Sequence, residues 1–305
     1  MDGESFALVL LAGAKWVSYA GLIGFTGTVA IRWLLPRAPT AAAALAPEIE
    51  PRLVVVAGCS SAILLVGTAA RLYAQTWSVF GLDEPVTLEL VRVVGIESRW
   101  GGRWQPQAGF ALLAAVAVAV WAWWPRAGWW TTALVLAGAW ITLPLTGHAM
   151  SLDTRVPWLA QVVHGIGAGL WIGALAGLVA IAAGLVRQEE GHRRVAVIVG
   201  RFSPMARVAV GAIGVSGVVT AWFYLGAVAE LWTTGYGRVL LFKVVLFLVA
   251  GLVGAYNWRR LTPRLGHEPG TRALLRSARL ELALAAGVLL VTAVLVHLAM
   301  PAEMG

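Results

Sequence analysis

The sequence predicts an all-α, polytopic membrane protein of about eight transmembrane helices, with both termini periplasmic. Three observations carry that expectation. Hydrophobic residues make up 59% of the 305 residues and charged residues only 12%, far below the charge a water-exposed surface needs. Apolar runs of about 20 residues, the length that crosses a bilayer, recur through the chain. Arginines gather in alternate short connections, as they do on the cytoplasmic side of membrane proteins.

The spans are expected at 6–33, 53–73, 106–124, 129–150, 156–186, 204–228, 237–258 and 276–299. The first follows MDGESF, which has acidic residues and no basic n-region, so it should stay as a helix and not be cleaved as a signal peptide. The second holds Cys59, the single cysteine, which excludes a disulfide framework or a CxxC motif. Cys59 reads as a small buried hydrophobe, with an exit ligand for a metal as the alternative.

Between spans two and three, Asp83-Glu84-Pro85 looks like a helix start. A short interfacial helix within 83–100 is expected there. Trp121, Trp123, Trp124, Trp129 and Trp130 crowd the connection between spans three and four, marking a membrane boundary where indoles prefer to sit. Span five carries Gly165, Gly169, Gly173 and Gly177, a four-residue repeat that puts one smooth face against a neighbouring helix. Span seven contains Lys243, a charge on a substrate path or a snorkelling lysine. Glu281 reads as an ordinary boundary residue of span eight.

The net charge of +8 does not call for nucleic acid, because positive-inside loops account for it. Connections 1–2, 3–4, 5–6 and 7–8, with their borders, hold fifteen arginines. The opposite side holds six: Arg71, Arg92, Arg99, Arg103, Arg155 and Arg238. The richer side is read as cytoplasm. His148, His164 and His297 then fall on the outer side with Met150, Asp153 and Met300. His192 and His267 fall in basic cytoplasmic loops and read as solvated.

Ionisable side chains are costly in lipid, so His148 and His164 are site candidates by default. Imidazole suits copper, zinc and iron, and thioether sulfur selects soft ions such as Cu(I). Histidines with nearby methionines therefore point to copper, with His148, His164, His297, Met150, Met300 and Asp153 as candidate ligands. His148 should lie near the surface and His164 deeper, about 10 Å below Pro157 at 1.5 Å per residue. Met205 reads as packing. No GxxxxGK[ST] motif is present, so direct use of ATP is not expected, nor is enzymatic activity.

Several segments together resemble one family. They are GHA at 147–149, VVHGIGAGLWIGAL at 162–175, RFSPMA at 201–206, TTGYGRVLLFKVVL at 233–246, NWRRLTPRL at 257–265 and LLRSARLELALA at 274–285. The chain resembles the CopD-type copper-resistance proteins of bacterial inner membranes, over nearly its whole length. The resemblance implies a single eight-helix domain that moves copper from periplasm to cytoplasm, often beside a periplasmic copper-binding CopC-like protein. No CopC-like domain precedes the first span, so such a partner is expected to be a separate chain. Two rival readings stand beside it. One is a haem-b membrane redox protein, since facing histidines also hold iron porphyrin. The other is a membrane scaffold that delivers copper to an oxidase.

Overall fold

The computed structural model describes residues 3–35, 46–81, 84–147, 154–188, 190–298 and 300–301. Among these are eight helices long and apolar enough to cross a membrane, and no strand. In chain order they are α1 (Gly3–Leu34), α2 (Ala46–Phe80), α3 (Arg99–Trp123), α4 (Pro125–Thr142), α5 (Val156–Leu185), α6 (Gly191–Tyr224), α7 (Gly235–Tyr256) and α8 (Glu268–Leu295). In lipid each backbone N–H and C=O must find a partner within its own segment, which selects long helices. Pro51, Pro106 and Pro204 lie inside α2, α3 and α6 without ending them.

Several helices begin earlier than hydropathy alone places them. α3 starts at Arg99 because the Ser98 hydroxyl accepts from the Gly101 N–H, capping the first turn. α8 starts at Glu268 with a proline in its first turn, and α6 starts at Gly191. The added turns are polar, so a hydropathy window does not see them. Between α2 and α3 a short helix, Leu88–Arg92, is capped by Thr87 and runs into a π-helical turn at Val93–Glu97. It begins after the expected Asp83, which lies outside the described residues.

Two glycine contacts set the centre of the bundle. A Cβ at Gly21 would strike Leu64, one at Gly24 would stand 2.7 Å from Ser60 Oγ, and one at Gly67 would strike Ser18. Residue numbers rise on one helix as they fall on the other, so α1 and α2 are antiparallel. Against α5 the order is reversed. Gly169 meets Thr26, Gly173 meets Ile23 and Gly27, and Gly177 meets Ile31. α1 and α5 therefore run parallel, with the glycine face of α5 pressed on α1 as the four-residue repeat predicts. Gly165 of the same repeat meets the Trp140 ring of α4. At Gly169–Gly173 α5 widens into a π-helical turn, so its most crowded contact is also its irregular one.

The tryptophans near 121–130 do not form one belt. Trp123, Trp124 and Trp130 are exposed, as an interfacial ring requires. Trp121 is instead wholly buried and donates its indole N–H to Glu50 Oε1 at 2.8 Å. Glu50 also accepts from Arg32 Nε at 2.9 Å. Trp129 is half-buried and donates to the Val29 carbonyl at 3.2 Å. Indoles with a polar partner inside the bundle leave the interface.

Candidate functional site

Three sequence-derived ligands, His148, Met150 and Asp153, lie outside the described residues. His164, His297 and Met300 are described. His164 is half-buried on α5, two turns below its start at Val156. Its Nδ1 stands 3.2 Å from Ser216 Oγ on α6. That hydroxyl already donates its one proton to backbone carbonyls of its own helix, Ala212 at 2.6 Å and Ile213 at 3.2 Å. Ser216 can then only accept from the ring, so Nδ1 carries the proton and Nε2 of the neutral imidazole carries the lone pair. A histidine held through one nitrogen by a hydrogen bond presents the other to a metal.

His297 follows the end of α8, and its Nδ1–H donates to the Ala293 carbonyl at 2.7 Å. Met300 is wholly buried among Tyr224, Tyr236 and Leu295. The Tyr224 hydroxyl accepts from Gln161, one turn before His164 on α5. Met300 and His164 thus belong to the same end of the bundle, linked through Tyr224 and Gln161. Among the described residues no three His, Cys, Asp or Glu side chains gather closely enough to hold a metal ion.

Arg71, Cys59 and His192 stand differently from their sequence reading. Arg71, counted with the outer side at the border of span two, is 6% exposed inside the bundle. Its guanidinium donates to Gln107 Oε1 and, at 2.6 Å, to Thr146 Oγ1. Gln107 Nε2 donates onward to the Thr142 carbonyl at 2.9 Å. Together they anchor the chain two residues before His148. Lys15, also buried, lies over the Tyr19 ring at 5.4 Å. Cys59 is exposed on α2 and is not a buried hydrophobe. His192 is half-buried in the first turn of α6, while His267 is exposed as its loop position implied.

Sequence reasoning passed over Glu281. With α8 starting at Glu268, position 281 falls in the middle of the helix and is 4% exposed. Trp171 Nε1 donates to Oε1 at 2.7 Å and Asn257 Nδ2 to Oε2 at 2.8 Å. Trp171 follows His164 by seven residues on α5, about 10 Å along the axis and on one face. Lys243 is half-buried on α7. One turn on, the Phe247 ring meets Trp171 edge-on with centroids 5.9 Å apart. Buried polar groups therefore succeed one another from His164 inward to Glu281.

Eight apolar helices enclosing a half-buried imidazole and buried lysine, guanidinium and carboxylate groups define a multi-pass membrane protein with polar sites inside the membrane. Comparison with known proteins makes this specific. The family model for the copper resistance protein D-like N-terminal domain matches residues 4–156, and that for copper resistance protein D matches residues 196–295. The chain belongs to the copper resistance protein D family. It is similar to the copper transport protein CutJ of Bacillus subtilis (strain 168), with 33% identity over 159 residues. The match covers 52% of this chain and 28% of CutJ, so it spans less than a third of that relative's length. No solved structure matches the chain.

Proposed function

We propose that the protein carries copper across the bacterial inner membrane, from periplasm to cytoplasm. His148 takes the ion at the outer surface and His164 passes it into the bundle. The carrying observation is the His164–Ser216 pair. It holds an imidazole within a membrane span and leaves Nε2 as the nitrogen with a lone pair. Nitrogen of this kind suits copper, and Met300, at the same end of the bundle, offers a soft sulfur. His297, Met150 and Asp153 complete the outer ligand set of this reading.

Membership of the family and the similarity to a copper transport protein support copper as the substrate. The arginine-rich ends of α5–α6 and α7–α8 face the cytoplasm on this reading, and both chain ends face the periplasm. A CopC-like protein in the periplasm is the natural donor.

The test is copper accumulation in cells that express the wild type, His164→Ala or an empty vector, with membrane levels matched. Copper uptake by the wild type above the vector, lost in His164→Ala, is the expected result. Equal uptake by wild type and His164→Ala overturns the relay. The visible spectrum of the purified protein separates the haem-b reading, and no Soret band is expected.

A further inference from the structure

Two of the three π-helical turns among the described residues deliver a side chain to one carboxylate. Trp171 is the middle residue of the turn Gly169–Gly173, and Asn257 is the first residue of the turn Asn257–Leu261. Such turns are uncommon and often mark functional positions. Both side chains end on Glu281, one on each oxygen. Neither donor is charged. The packed elements carry Lys15, Tyr19 and Arg32 on α1, His164 on α5, Arg201 and Arg207 on α6, Lys243 and Tyr256 on α7, Arg259, Arg260 and Arg264 in the turns that follow it, and Arg276 and Arg279 on α8. None forms an ion pair or hydrogen bond with Glu281. A buried carboxylate without a cation is costly unless it can change its charge.

Asn257 supplies the means to do so. Its Oδ1 is buried and has no hydrogen-bond partner, while its Nδ2 faces Glu281. A half-turn of the amide plane brings Oδ1 to the same carboxyl oxygen, where it accepts from a carboxylic O–H. The amide thus offers a donor to the carboxylate and an acceptor to the acid. Gly254 closes the remaining side: a Cβ there would stand 2.9 Å from Glu281 Oε1. The space suits a proton and not a hydrated ion. Carboxylate and amide oxygens are also poor ligands for Cu(I).

We propose that Glu281, read by Asn257 and held by Trp171, is an intramembrane proton-exchange site. The carboxylate takes a proton from water and later returns it to water, and only the O–H bond forms and breaks. Its coupling to copper movement, though not the site itself, rests on the transport reading above.

The experiment uses the full chain in proteoliposomes, as wild type, Glu281→Gln and Trp171→Phe. Infrared difference spectra between acidic and alkaline pH read the protonated-carboxyl band, and copper uptake is followed with and without an imposed pH gradient. The wild type should show a titrating carboxyl band that Glu281→Gln lacks and Trp171→Phe displaces in pH. Its copper uptake should change several-fold with the gradient, and that of Glu281→Gln should not, while both bind the same amount of copper. A band unchanged in Glu281→Gln, or absent from the wild type, overturns the site. A titrating Glu281 band in a wild type that moves no copper supports the site and removes the transport reading alone. Trp171→Phe keeps the test decisive if Glu281→Gln does not insert, since a carboxyl unrelated to Glu281 will not shift with it.

Discussion

Ser216 Oγ stands 3.2 Å from His164 Nδ1 and 2.6 Å from the Ala212 carbonyl, so one hydroxyl fixes both the place and the tautomer of the ring. Removing it tests that relationship directly. Ser216→Ala should leave the protein folded and His164 present, yet weaken copper binding by about 10- to 100-fold, the usual effect of losing a group that orients a ligand. Titration of the purified variant with copper under a competing chelator reads this. Wild-type affinity in Ser216→Ala would mean that the ring needs no such support.

The two central histidines should fail differently. His148→Ala should slow uptake and leave a residue of it through His297 and Met150. His164→Ala should abolish transfer while some copper still binds at the surface. Uptake and bound copper measured in the same membranes distinguish the two patterns. As the entry ligand, His148 must shed its proton before it coordinates, so the wild-type rate should fall as external pH drops through the free-histidine range of about 6.5, and His148→Ala should flatten that dependence.

Close approach between α1 and α5 depends on Gly173, where a Cβ would collide with the Ile23 carbonyl and Gly27. Backbone on both sides cannot yield. Gly173→Ala should therefore destabilise the bundle by about 1–3 kcal/mol, as overpacking of a tight contact does. Gly211→Ala is the control, because nothing stands within 4 Å of a Cβ there. Thermal unfolding in detergent should show a lower midpoint for the first and none for the second. Equal midpoints would count against a glycine-mediated contact.

Arg71 joins α2 to α3 and to Thr146 at the base of the segment that carries His148. Arg71→Leu removes two hydrogen bonds from a buried network and leaves Gln107 and Thr146 short of a partner, a loss of about 1–3 kcal/mol for each stranded group. Lower membrane levels and faster proteolysis between Gly147 and Val156 are expected. A variant as resistant as the wild type would show that the segment is held by other means.

Topology is open to reporter fusions. Junctions after Arg194 and Arg264 should report cytoplasm, and a junction after Gly305 periplasm. A cytoplasmic signal at Gly305 would place His164 and His297 on the inner side and reverse the proposed direction.

Fold class was written in the sequence because lipid imposes a single requirement, length in apolar residues, that hydropathy reads directly. The glycine face of α5 was legible for a similar reason: a four-residue repeat is a local signal. His164 could be found from its cost in an apolar span. Nothing local marked Ser216, since serine is unremarkable in such a helix and its part depends on α6 passing α5 at one depth. Glu281 was misplaced because the polar first turns of α8 are invisible to a hydropathy window, which moved the apparent boundary towards it. Arg71 was counted with the outer side because the expected span ended at 73, whereas the helix runs on to Phe80 and keeps it inside the bundle. The identity and number of the helices are one-dimensional properties of the chain. Which buried polar groups face one another is decided only by packing, because partners 52 and 110 residues apart meet through the rotation and depth of whole helices.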